Sequence, residues 1–164
     1  LWLFERFGLS LAAAGAIFFW TGVLSALSYF AAAWIADRIG LINTMVWTHL
    51  PSNIMLMLVP FMPDLATSVA LLFVRYAISQ MDVPTRQSYT MAVVDPDERS
   101  AAAGVTSIAR ALGAAASPSL STPLLAIPGL AALPFLIGGG LKVTYDLLLY
   151  REFRSVKPPE EQAG

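Results

Sequence analysis

The sequence predicts an all-α fold, a polytopic bundle of five membrane-spanning helices. Three observations carry that expectation. Hydrophobic residues make up 57% and charged residues 13% of the chain, whereas a soluble domain has roughly 45–50% and 25%. Mean hydropathy is +0.66. The charges are also unevenly placed: residues 7–36 and 39–63 contain no Asp, Glu, Lys or Arg, and a membrane helix needs roughly 20 mostly apolar residues to cross about 30 Å of hydrocarbon.

The first charge-free stretch places a span at about 11–35, and the second places one at about 42–62. Pro60, Pro63 and Asp64 mark the turn that follows. A third, amphipathic span is expected over about 65–93. Asp95-Pro96-Asp97-Glu98 then offers an N-cap, a proline at the first helical position and a glutamate at the third. That starts a fourth span, about 96–123. Ala126-Ile127-Pro128-Gly129 reads as a tight turn, and a fifth span covers about 130–150. Residues 1–150 thus form one transmembrane unit, and 151–164 a polar tail that reads as a natural end. Leu1 stands where a start methionine would, and no charged segment with a cleavage site follows it. The N-terminus reads as a truncation.

Orientation follows from Lys and Arg in the short loops. Five spans put the termini on opposite sides. One side holds Arg38, Arg99, Arg151, Arg154 and Lys157, the other only Arg6. The C-terminus is therefore expected in the cytoplasm, in an inner or plasma membrane. A net charge of −1 offers no field to nucleic acid. The lack of cysteine removes disulfides and thiolate sites, and leaves the redox compartment undetermined. Prolines 51, 84, 118, 123 and 134 fall in or near the spans, where neighbouring helices can satisfy the freed backbone groups. They read as kinks first and as hinges second.

The loop between the first two spans is Ala33-Trp34-Ile35-Ala36-Asp37-Arg38-Ile39-Gly40. By itself it is a charged turn closed by a helix-ending glycine. It resembles the cytoplasmic signature loop of major facilitator superfamily transporters, Gly-x-Leu-Ala-Asp-Arg-x-Gly-Arg-Arg. Ala36, Asp37, Arg38 and Gly40 match, and Ile35 stands for Leu. Ala33, Leu41 and Ile42 depart from the pattern, as in the more degenerate second copy of that loop. Asp82-Val83-Pro84-Thr85-Arg86-Gln87 through Asp95-Pro96-Asp97-Glu98-Arg99 is similar to the junction between the tenth and eleventh helices of a bacterial branch. The resemblance implies helices eight to twelve of twelve, a gating loop of Asp37, Arg38 and Gly40, and a missing N-terminal half of the same chain. It also implies that Asp37 closes the cytoplasmic side against the start of the fourth span, with Arg86 or Arg99. Asp82, Arg86, Asp95, Glu98 and Arg99 would form a cytoplasmic charge network.

Arg75 lies about ten residues into the third span, roughly 15 Å deep at 1.5 Å per residue. Arg110 is similarly deep in the fourth. An arginine there should face protein, water or a partner. On a continuous helix Arg75, Ser79, Asp82 and Arg86 share one face, since eleven residues at 100° close to within about 20°. Thr106, Arg110, Gly113 and Ser117 do the same. Arg75, Ser79, Arg110 and Ser117 are the candidate substrate pathway, with a structural polar network as the alternative. No carboxylate shares their depth, so either an absent helix supplies one or the cavity accepts an anionic group.

Asp82 with Arg86 and Lys142 with Asp146 are spaced to pair along their helices. His49 and Asn53 read as a hydrogen-bonded packing pair rather than a proton carrier. Gly140-Leu141-Lys142-Val143-Thr144 lacks the contiguous Gly-Lys-Ser/Thr of a phosphate loop. No cofactor, metal cluster or catalytic constellation is implied, so an enzyme is not expected. The resemblance implies a secondary active transporter moving a small-molecule solute through the lipid bilayer by alternating access. Efflux of a hydrophobic or anionic compound and coupling to an ion such as H+ stay open. The rivals are a non-transporting helical scaffold or receptor and, behind it, a membrane-embedded enzyme.

Overall fold

The computed structural model describes residues 2–127 and 129–156. Leu1, Pro128 of the expected turn and residues 157–164 of the polar tail lie outside the described residues. Helices make up nearly all of the rest, with no strand among the described residues. In chain order they are α1 (Trp2–Phe7), α2 (Leu11–Ile39), α3 (Leu41–Leu58), α4 (Leu65–Ser79), α5 (Asp82–Val93), α6 (Arg99–Ala126) and α7 (Leu133–Phe153). The fold is the expected all-α bundle. By length and composition alone, α2 is the one described helix long and apolar enough to cross a membrane.

Local chemistry sets the helix ends. The Ser10 hydroxyl caps α2 by accepting from the Ala13 amide at 3.2 Å. Gly40, at φ 86°, ends α2 and starts α3 in a single residue. That backbone conformation favours glycine, which has no Cβ to clash. The Asp64 carboxylate caps α4 through the Thr67 amide at 2.9 Å. Asp95 makes no such side-chain bond. Its carbonyl instead accepts from the Glu98 amide at 2.9 Å, giving one tight 3-10 turn over Pro96–Glu98 before α6 begins.

The stretch expected as one span over 65–93 is two helices, with a turn at Gln80 and Met81. Pro84 explains the break. Proline has no amide to donate, and its ring clashes with the carbonyl four residues earlier, here that of Gln80. The Val83 amide takes that carbonyl instead, at 3.3 Å. Asp82 consequently falls in the first turn of α5, where the helix dipole favours a carboxylate.

The central helix is α3, which packs against α2, α4, α5 and α7. Near its start Ile42 and Met45 pack with Tyr89 of α5, flanked by Leu149 and Tyr150 of α7. The Tyr89 hydroxyl donates to the Val156 carbonyl at 2.8 Å and ties down the end of α7. At the other end α1 forms a lid. Trp2 is buried edge-on against Phe7 and Phe135, and Arg6 donates to the Met62 carbonyl at 3.4 Å. By contrast α6 has no buried residue and makes its main inter-helix contact with α7.

Gly139 marks the closest approach of α3 and α7. A Cβ there would run into Met57 Cγ and lie 3.0 Å from the Asn53 carbonyl oxygen. At the neighbouring Gly140 it would meet nothing within 4 Å. Gly139→Ala is therefore expected to cost about 1–3 kcal/mol through overpacking. Gly140→Ala should be neutral or slightly stabilising, because alanine is the better helix former. Reversible unfolding in mixed micelles measures both, and equal effects of the two changes would contradict the close crossing.

Candidate functional site

The inner face of α3 is polar. Thr44, His49, Ser52 and Asn53 are all buried. The hydroxyls satisfy themselves within the helix: Thr44 donates to the Gly40 carbonyl at 2.8 Å, and Ser52 to the His49 carbonyl at 2.9 Å. An imidazole and a carboxamide cannot do this, and they need a partner across the interface.

Asp146 of α7 is that partner. Its side chain is 1% exposed. His49 Nδ1 lies 3.0 and 2.9 Å from its two oxygens, and the Asn53 amide donates to Oδ2 at 3.1 Å. The arrangement assigns the proton to Nδ1, so that both α3 groups donate to one carboxylate. On the opposite edge of the ring, Nε2 is 4.0 Å from Asp82 Oδ2. Asp82 accepts from Arg86 at 2.7 Å, and Arg86 donates to the Tyr145 hydroxyl at 2.8 Å. One polar chain therefore runs Asn53, Asp146, His49, Asp82, Arg86, Tyr145 and joins α3, α5 and α7.

His49, Asp82, Arg86 and Tyr145 of this chain form one wall of a polar cavity of about 370 Å³. Arg75 and Ser79 of α4, Arg110 of α6 and Lys142 of α7 also line it. Among the described residues, no carboxylate lies within 4.0 Å of Arg75, Arg110 or Lys142. Arg75 sits beside the Tyr76 ring at 5.1 Å. A lone arginine at the centre of a membrane helix costs about 2.5–3.5 kcal/mol, so such a cluster calls for water or an anion. A second cavity, of about 410 Å³, is mostly apolar and shares Arg75; Trp2, Leu9, Phe18, Leu56 and Phe135 are among its lining residues.

Of the candidate pathway residues, the polar cavity collects Arg75, Ser79 and Arg110, and it adds Asp82 and Arg86. Ser117 is not among them. It is exposed farther along α6, where its carbonyl accepts from Ser121. At the α2–α3 joint Asp37 and Arg38 are both exposed, and Arg38 stacks on Trp34 at 3.7 Å. Asp37 has neither Arg86 nor Arg99 within 4.0 Å. Arg99 reaches the Val94 carbonyl at 3.4 Å, beside exposed Asp95 and Glu98.

The pairing of His49 with Asp146 is what sequence reasoning missed. Spacing pointed Asp146 to Lys142, and His49 to Asn53 alone. The signal was a carboxylate within the expected fifth span, matched by the single histidine of the chain.

A profile of the Major Facilitator Superfamily matches residues 1–164. The chain is also similar to a curated protein of Saccharomyces cerevisiae described as an uncharacterized membrane protein. The two are 28% identical over 153 residues, 93% of this chain and 34% of the relative. The chain thus spans about a third of the length of the curated relative it matches.

A double-mutant cycle of His49→Ala and Asp146→Ala tests the buried contact. A coupling energy of about 1–2 kcal/mol is expected, at the upper end for hydrogen bonds between membrane helices. Purely additive effects would show that the contact carries none of the α3–α7 packing.

Proposed function

The chain belongs to the Major Facilitator Superfamily, a family of transporters, and from that premise we propose that it forms part of a secondary transporter carrying a small solute by alternating access. The observation that carries the reading is the polar cavity, where Arg75, Ser79 and Arg110 of two helices meet beside Lys142. In such carriers the binding site sits near the midplane between two helical repeats, and one repeat rocks against the other. On this reading helices outside these 164 residues supply the opposite wall.

The further elements of the reading follow from charge. The excess of Lys and Arg around Arg38, Arg99 and Arg151 supports a cytoplasmic C-terminus in an inner or plasma membrane. The absence of a nucleotide motif from these residues supports a gradient as the drive. His49, held between Asp146 and Asp82 in the cavity wall, would tie α3 to α5 and α7 on the solute-facing side. Asp37, exposed at the single-residue joint between α2 and α3, is free to contact another element when the cytoplasmic side closes.

Two measurements on the full-length protein test this. Asp37→Asn is expected to shift the ratio of inward-facing to outward-facing states. Labelling of single cysteines, placed in a stretch that has none of its own, reads that ratio. An unchanged ratio would remove Asp37 from the gate. Arg110→Ala is expected to cut solute flux at least tenfold with normal membrane insertion. Retained flux would favour a scaffold or receptor that does not transport.

A further inference from the structure

Four cations line the polar cavity, and a single carboxylate, Asp82, accompanies them. Asp82 is engaged by Arg86 at 2.7 Å. The nearby Asp146 lies outside the lining and is held by His49 and Asn53. That leaves Arg75, Arg110 and Lys142, from α4, α6 and α7, with no carboxylate within 4.0 Å among the described residues. Two further donors there are unused. Arg75 Nε and the hydroxyl of Ser79 are buried and have no hydrogen-bond partner. Ser79 itself is only 4% exposed.

Arginine and lysine side chains donate and never accept, so this part of the wall is complementary to a ligand that only accepts. Guanidinium forks fit planar or tetrahedral oxyanions with two bonds each, and an ammonium adds a compact charge. A cationic solute would be repelled, and a purely hydrophobic one would leave the unpartnered donors dry. We infer that the cavity is a binding site for the oxyanion group, carboxylate or phosphate, of a small solute, held by Arg75, Ser79, Arg110 and Lys142. The cavity volume of about 370 Å³ is at the small end of the range for ligand pockets. That the oxyanion is the transported cargo rests on the transport reading above.

The test is direct binding to the full-length protein in phosphatidylcholine nanodiscs. The probes are radiolabelled inorganic phosphate and benzoate. Saturable binding of at least one is expected, weakened at least tenfold by Arg110→Gln and several-fold by Lys142→Gln. Both residues are exposed, so neither change removes core packing, and Arg110→Lys should restore part of the affinity. A second arm adds phosphatidylglycerol to the nanodiscs. If that lipid displaces the probe, or is itself bound in an Arg110-dependent way, the oxyanion site stands and a headgroup is its source. No saturable binding of phosphate, benzoate or phosphatidylglycerol overturns the inference, as does binding indifferent to both Gln substitutions. In either case an acid from another helix neutralises these cations. The transport reading falls separately, on cysteine labelling that finds only one state.

Discussion

The contact between His49 and Asp146 is the constraint around which the other helices are arranged. Buried carboxylates are rare in membrane helices because nothing there replaces water. Asp146 is accommodated because α3 brings two donors to it, an imidazole and an amide four residues apart on one face. That requirement fixes both the rotation and the height of α7 against α3. The height in turn depends on Gly139, since any side chain there would push the helices apart two turns away from the pair. The polar bond and the missing Cβ are one device, with the glycine granting the distance that the carboxylate needs.

The break at Pro84 is the second element that positions the cavity. A straight helix over 65–93 would have carried Arg75 and Arg86 on one stripe as part of a single rigid rod. The turn at Gln80 and Met81 separates them into two helices, each packed on α3. Asp82 then begins a helix, lies 4.0 Å from the His49 ring and takes the Arg86 guanidinium. The cations before and after the break therefore differ in state. Arg86 is neutralised locally, whereas Arg75 is not.

Much of this organisation was legible in the sequence, and the limits have physical causes. The helical bundle follows from charge-free stretches, because burial of apolar length is a property of composition. Arg75 and Arg110 could be picked out because a deep charge is costly wherever it sits, and Ser79 because it lies one helical turn from Arg75 on the same face. Helical spacing gives the Asp82–Arg86 contact, which is local. Spacing fails for Asp146, whose neighbour along the helix was Lys142 but whose bond is to His49, 97 residues away in sequence. Nothing in a single sequence reports which helix faces which. The Asp95 cap differs for a local reason: the Asp95 carbonyl accepts from the Glu98 amide in a 3-10 turn, and its side chain makes no capping bond.

The bare surface of α6 has a consequence for how such a chain enters a bilayer. None of its residues is buried, and it carries Arg110 and many small side chains over 28 residues. A segment of this composition gains little from partitioning into lipid by itself, unlike α2. As the fourth span that the sequence predicts, α6 would owe its place in hydrocarbon to companions that shield Arg110 rather than to its own partition. Its membrane character would then be a property of the assembled bundle, whereas that of α2 is a property of its own composition.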